Sequence, residues 1–238
     1  MKKLVFLSIL ICVLSFLGAA DGEFHAGDQS VFILPTAYTM PKGSTAVTVY
    51  EALIPQSAYA PIDRLHLSAA GIFLPTLNEE ELRCIVIVSF GAKYNYFRAK
   101  NVESAVLGSL THYHTVTLGN VVSFGSNSGD GKGSVHLMGM LTGDIESDNL
   151  RGILGTGGIL KLSKHVNIMT ELTFEPFNIK TEPSYHSEEE NRYVLLIAGL
   201  RFKWKKASFD LGFMRMLGDV EQSELMRYPF VKITAIHF

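Results

Sequence analysis

Most of the chain is patterned in twos. From Leu82 to Tyr96 the even positions are Leu82, Cys84, Val86, Val88, Phe90, Ala92, Tyr94 and Tyr96, while the odd ones include Arg83, Ser89, Gly91, Lys93 and Asn95. Apolar residues at every second position give an extended strand one apolar and one mixed face. Neighbouring segments agree on which face is which. A two-residue turn at Lys205-Lys206 pairs Phe202 with Phe209, Leu200 with Leu211 and Ala198 with Phe213 on one face. Arg201 then meets Asp210, Lys203 meets Ser208 and Gly199 meets Gly212 on the other. A turn at Ser163-Lys164-His165 likewise pairs Leu160 with Ile168 and Leu154 with Phe174, against Lys161 with Asn167 and Gly157 with Glu171. A slip of one residue would invert every side chain, so the agreement fixes the register.

The same reading predicts strands near 28–36, 44–54, 62–73, 82–96, 102–111, 116–124, 132–142, 151–162, 166–175, 192–204, 207–217 and 228–238. These twelve segments have about the 10 residues that a membrane-crossing strand needs. The expected fold is all-β, a closed antiparallel transmembrane β-barrel of about 12 strands, with 10 as the alternative and no room for a second domain.

Alternation alone does not say whether the apolar face looks inward, as in a soluble barrel, or outward to lipid. Aromatic residues end the apolar faces, at Trp204, Tyr94, Tyr96, Phe174 and Phe73. That suits interfacial girdles. The opposite face mixes glycine with charges of both signs. The chain ends at Phe238, with Ile236, Thr234 and Phe230 spaced behind it, like the carboxy-terminal signal that the outer-membrane assembly machinery reads. Lys232 dissents, sharing the face of Phe238. Either a bulge intervenes or Val231, Ile233 and Ala235 form the lipid side.

The first residues differ in kind. Met1-Lys2-Lys3, an uncharged apolar run from Leu4 to Leu17 and the small residues Gly18-Ala19-Ala20 read as a signal peptide over 1–20. The barrel domain then spans 21–238, and the expected location is the bacterial outer membrane. Removing Lys2 and Lys3 from the 21 bases leaves 19 against 23 acids. With 47% apolar residues and 18% charged, the chain is too apolar for disorder and too acidic for a nucleic-acid binder. Cys84 alone remains of the two cysteines, which excludes an internal disulfide.

Thirteen of the 23 acids are clustered: Glu79, Glu80 and Glu81; Asp144, Glu146 and Asp148; Glu182 with Glu188, Glu189 and Glu190; Asp219, Glu221 and Glu224. With twelve strands, every cluster falls at one rim and the basic turns Arg98/Lys100, Lys164-His165 and Lys205-Lys206 at the other. Longer loops of such barrels are extracellular, so the acidic rim is assigned outside, where it attracts cations and can hold Ca²⁺ or Mg²⁺ weakly.

Short motifs add a resemblance. Pro35-Thr36-Ala37, Pro41-Lys42-Gly43 and Tyr59-Ala60-Pro61-Ile62-Asp63-Arg64 resemble an early P-[ST]-A, a K-G-E and a Y-G-[IL]-T-D turn of a group of uncharacterised bacterial outer-membrane barrels. Ser44 stands where the glutamate of that pattern falls, and Ala60-Pro61 where the turn has glycine. Glu171 between Thr170 and Leu172, and Gly199-Leu200-Arg201, are similar to later strands of the same group. The resemblance implies a porin-like outer-membrane barrel and brings no catalytic residues.

Chemistry is sparse. Gly129-Asp130-Gly131-Lys132-Gly133-Ser134 fails as a phosphate loop, because Gly133 follows the lysine and Ser126 replaces the first glycine. His112 and His114 share a strand face without a nearby third ligand. Ser109 with His114, or Ser134 with His136, is the only approach to a lipid-hydrolase pair. His66 and His136 fall on inward faces. The expectation is therefore no enzyme, no cofactor, no metal centre and no nucleic-acid partner. Membrane lipids, the barrel-assembly machinery and divalent cations at the rim are the expected partners. The predicted inward polar set is Arg83, Lys93, Lys161, Asn167, Glu171, Glu175, Arg201, Lys203 and Asp210. Its near-balanced charge implies pairing and a narrow, partly self-plugged interior. A narrow channel, or a barrel that binds small solutes or cations, follows; a lipid hydrolase and a soluble barrel with an apolar ligand are the alternatives.

Overall fold

The computed structural model describes residues 25–51, 53–78, 81–112, 114–125, 133–145, 149–179, 194–217 and 228–238, with the backbone alone at 73–78, 81–85, 178–179, 217 and 228. Twelve antiparallel strands follow one another around a closed barrel. They are β1 (Thr45–Tyr50), β2 (Ile54–Ile62), β3 (Leu65–Asn78), β4 (Glu81–Ala99), β5 (Val102–Thr111) and β6 (Thr115–Gly125), then β7 (Gly133–Asp144), β8 (Leu150–Lys161), β9 (Val166–Ile179), β10 (Val194–Lys203), β11 (Ala207–Leu217) and β12 (Tyr228–His237). β12 closes onto β1, with Ala46 opposite Ile236 and Thr48 opposite Thr234. Closure leaves no unpaired sheet edge.

The period-two pattern sets the registers. Arg201 lies opposite Asp210, Gly199 opposite Gly212 and Phe202 opposite Phe209. Leu154 faces Phe174, and Gly157 faces Glu171. The stretch 102–124 is two strands that reverse at 112–114, where His112 takes a left-handed backbone (φ 50°). The apolar residues point away from the barrel axis: Leu118 is 61% exposed, Phe213 67% and Ile233 53%. On the last strand Val231, Ile233 and Ala235 form the outer face. Phe230, Lys232, Thr234 and Ile236 are buried inside. Lys232 therefore faces the lumen and meets no lipid.

One expected strand is absent. Residues 28–36 are not in the wall; the expected strand 44–54 is β1, and β2 occupies 54–62, a stretch read as a connection, which keeps the count at twelve. The segment 25–44 instead enters the lumen as a plug. It reverses tightly at its tip, where the Val31 amide donates to the Leu34 carbonyl at 2.9 Å. A single bridge, Ser30 to Pro35, flanks the turn. Two features keep the segment out of the wall. Gly27 and Gly43 have positive φ, and Pro35 and Pro41 lack the donor a ladder needs. Val31, Phe32 and Leu34 are all buried, so their burial does not alternate as a strand's would. A twelve-stranded barrel lies between the eight strands that side chains fill and the sixteen that leave an aqueous channel. Here a piece of chain fills the remainder.

Topology also sorts the connections. The β3–β4, β5–β6, β7–β8, β9–β10 and β11–β12 connections leave from one rim. The turns at 63–64, 100–101, 163–165 and 204–206 lie at the other, together with both chain ends of the plug: Ala26 donates to the Lys205 carbonyl and Gly43 to that of Ala60. The plug is thus a loop inserted from the short-turn rim, with its tip at mid-barrel.

Candidate functional site in the barrel lumen

The lumen is organised around the main chain of the plug. On β9, the Glu171 carboxylate is 2% exposed and Oε2 accepts three consecutive amides, from Phe32 (3.0 Å), Ile33 (2.9 Å) and Leu34 (2.9 Å). Successive N–H groups converging on one anion form a nest. Opposite it, three cations take the carbonyls. Arg201 on β10 donates to Gly27 O (2.8 Å), Ser30 O (3.1 Å) and Val31 O (2.5 Å). Lys232 on β12 donates to Val31 O (3.0 Å), Phe32 O (2.9 Å) and Ser30 Oγ (3.1 Å). Lys93 on β4 donates to Tyr38 O (2.7 Å), Thr36 O (3.0 Å) and Gln29 O (3.4 Å).

Charge is compensated within this ring. Asp210 on β11 holds Arg201 through two 2.7 Å bonds and Lys232 at 2.9 Å, with all three side chains buried. A charge removed from water is tolerable only when it is paired and its remaining donors are used, and the plug carbonyls use them. Further along, Asn95 donates to Ala37 O (2.9 Å) and Ser123 Oγ accepts the Ala37 amide (2.8 Å). His66 Nε2 accepts the Met40 amide. Asp63 accepts from Lys42 N (2.7 Å).

The plug tip also needs shape. Val31, Phe32 and Leu34 pack on Ala105, Val121, Met138, Ile159, Met169, Ile197 and Phe230, and the Phe32 and Phe230 rings meet edge to face at 5.3 Å. The lumen is therefore partly apolar, which the expectation of a polar interior did not contain. Inward glycines make the space. A Cβ on Gly155 would lie 2.6 Å from Leu34 Cδ1, and one on Gly157 2.9 Å from Val31 Cγ2. In the plug, Gly27 combines φ +88° with a Cβ position 2.5 Å from Ser208 Oγ and 3.1 Å from the Arg201 guanidinium.

Asp28 sits in the plug, 1% exposed, and accepts the His25 amide at 2.7 Å. Burial pushes its carboxyl up to about 6, against the opposing pull of Lys203, the His25 amide and Arg201. Burial raises the Tyr38 phenol as well.

Of the predicted inward set, Lys93, Glu171, Arg201 and Asp210 come together on the plug. Glu171 is directed to main-chain amides of the plug and not to another member of that set. Lys203 is buried near Asp28, and Asn167 is buried with Oδ1 unpartnered among the described residues. Lys161 and Glu175 are half-buried toward opposite rims, and Arg83 is placed by backbone only, opposite Thr76. Lys232, Asn95 and Ser123 were not in that set. Lys232 could have been found from its even spacing with Phe230 and Thr234.

Of the acidic rim, Glu81 begins β4 and Asp144 ends β7. Glu79, Glu80, Glu146, Asp148, Glu182, Glu188, Glu189, Glu190, Asp219, Glu221 and Glu224 lie outside the described residues, as do the signal segment and most of the glycine-rich stretch 129–134. Ile236 faces inward at 6% exposure, and Phe238 follows β12 at 40%.

The hydrolase candidates resolve differently. His136 Nε2 contacts Ser134 Oγ at 2.9 Å, but Nδ1 is taken by Ser123 Oγ at 2.7 Å where a triad would place an acid or amide. Both serines and the histidine are fully buried beneath Tyr38, whose ring stands perpendicular to the imidazole at 5.6 Å. His112 and His114 have rings 5.9 Å apart in the β5–β6 turn. No group of three metal-ligating side chains occurs among the described residues.

Beside the plug, between it and the wall of β1 to β5, lies a cavity of about 250 Å³ lined by Gln29, Ile33, Tyr50, Gln56, His66 and Lys93 among others.

The residues that carry the resemblance noted above gather at the plug contacts: Pro35 to Ala37 in the plug itself, Asp63 on its return, and Glu171 and Arg201 in the wall. No protein family and no curated protein sequence matches the chain. Among solved structures, one titled bacterial polysaccharide outer membrane secretin is similar over 81% of this chain and 96% of its own, at 10% identity and a TM-score of 0.40. At that level the similarity bears on neither substrate nor mechanism.

Proposed function

We propose that the protein is a bacterial outer-membrane barrel that serves as a narrow, self-plugged channel for small cations or polar solutes. One observation supports this above the rest: the closed wall turns an apolar belt outward and the charged residues at its middle inward. Leu67, Phe90, Val106, Leu118, Leu137, Leu154, Leu211, Phe213 and Ile233, from eight different strands, are each at least 40% exposed. A contiguous belt of that kind exceeds the apolar patches soluble monomers expose and matches the lipid-facing band of membrane barrels. It opposes a soluble barrel with a greasy centre.

Within the barrel, the plug and inward side chains occupy the lumen beside the cavity along β1 to β5, so conduction is narrow unless the plug shifts. The acidic connections at one rim raise the local cation concentration. The buried Ser134–His136 pair offers no reachable nucleophile, so the hydrolase alternative gains nothing from the geometry. Planar-bilayer recording tests the proposal. The expected result is small, infrequent, cation-selective steps from the intact chain, growing when the plug contacts are weakened. Silence from both forms in every salt overturns the channel reading.

A further inference from the structure

Most of the hydrogen bonds that hold the plug go to atoms that every polypeptide possesses. Glu171 reads three amides, Arg201, Lys232 and Lys93 read carbonyls from Gly27 to Tyr38, and Asn95, Ser123 and His66 read the main chain from Ala37 to Met40. Apolar side-chain selectivity lies at the tip, where the space over Gly155, Gly157 and Gly212 accepts Val31, Phe32 and Leu34, and a few polar side chains, Gln29, Ser30, Tyr38 and Thr39, add single bonds to the wall. Strand-adding recognition domains work on the same division, with main-chain bonds for affinity and a few pockets for choice. The plug has no extended ladder: one bridge, the tip turn and short turns at 25–30 and 41–44 are its own, and the wall supplies most of the remaining bonds to its main chain.

We propose that the lumen is a peptide-binding site that reads main-chain atoms, in which residues 25–44 are a replaceable ligand. The ligand class is an unfolded polypeptide segment with a short apolar stretch, inserted from the rim where both ends of the plug lie. The inference rests on the plugged barrel described above but not on conduction, so a silent bilayer leaves it standing.

The plug returns to the wall through Pro41, Lys42 and Gly43, which are exposed, and Gly43 has open space around its Cα. A site-specific protease sequence inserted between Lys42 and Gly43 lets the folded, full-length chain be cut there. The released but still bound segment is then challenged with fluorescent synthetic peptide 25–42, read by polarisation and by mass spectrometry of the displaced piece. The expected result is exchange. A peptide that keeps Gly27, Asp28 and positions 31–34 and is scrambled elsewhere binds within about tenfold, and one N-methylated at Phe32, Ile33 and Leu34, which lacks the three donors to Glu171, binds about a hundredfold more weakly or worse. Equal binding of the N-methylated peptide, or binding of the native sequence only, overturns the proposal. If the insertion blocks assembly, the same peptides are offered to the unaltered chain at rising temperature. Failure to incorporate any peptide in either format also overturns it.

Discussion

Replacing Glu171 by alanine isolates the plug from the wall that holds it. The carboxylate belongs to a strand, but its three hydrogen bonds go to the plug, at Phe32, Ile33 and Leu34. Removing it strands amides of which two are fully buried. Leaving a buried donor unmade costs about 1–3 kcal/mol. The two buried amides, with a smaller share from the one at half-exposed Ile33, give about 3–6 kcal/mol for seating the plug. At about 1.4 kcal/mol per factor of ten, the open fraction of the plug rises roughly a hundredfold to ten-thousandfold. Hydrogen–deuterium exchange read by mass spectrometry reports this directly. Peptides covering 27–40 lose protection by those factors, while peptides from β5 to β8 change little. Uniform loss across barrel and plug would show that Glu171 supports the wall. Unchanged protection at 32–34 would refute the nest as the anchor of the tip.

Three more outcomes follow from the same geometry. Asp210→Ala leaves Arg201 and Lys232 buried without the carboxylate they share, which costs about 3–5 kcal/mol and lowers the temperature at which the folded band is lost on electrophoresis. Leu211→Arg, at the middle of β11 and 43% exposed, costs about 2–4 kcal/mol in lipid vesicles; a loss below about 0.5 kcal/mol, typical of a water-facing site, would count against a lipid-facing wall. Asp28 sets a pH dependence. Its carboxyl holds a proton up to about 6 in the folded chain and to about 4 when unfolded, so its protonated form favours the seated plug fully below pH 4 and that contribution is lost as pH rises through 6. The two-unit difference corresponds to about 3 kcal/mol. Plug protection is therefore greater at pH 5 than at pH 7.5, and Asp28→Asn flattens the difference; a variant with the same pH profile would refute the assignment.

The wall was legible because its alternation is strict where two faces meet different solvents. Arg201 could be placed against Asp210, and Leu154 against Phe174, from parity and turn length alone. Lys232 looked anomalous only while Phe238 was assumed to define the outer face. The plug was illegible for the opposite reason. Ser30 to Leu34 is a short apolar run of the kind that also makes a strand, and nothing local says that its amides will meet a carboxylate 137 residues away. Two signs were available: glycines and prolines at 27, 35, 41 and 43, too dense for a wall strand, and a near-balanced set of inward charges. The second implied a self-plugged interior but not that the main chain would be the stopper. The acidic rim stays a matter of sequence, since its connections fall outside the described residues.

The account stands on the leucines and phenylalanines of the wall facing acyl chains. Trp204 is the single tryptophan; moving it, as Trp204→Phe with Leu211→Trp, puts one fluorophore at the middle of β11. In vesicles of lipids brominated at defined depths, fluorescence should be quenched most by bromines deep in the acyl region. Emission indifferent to bromine at every depth would contradict the outward-facing belt and the membrane barrel with it.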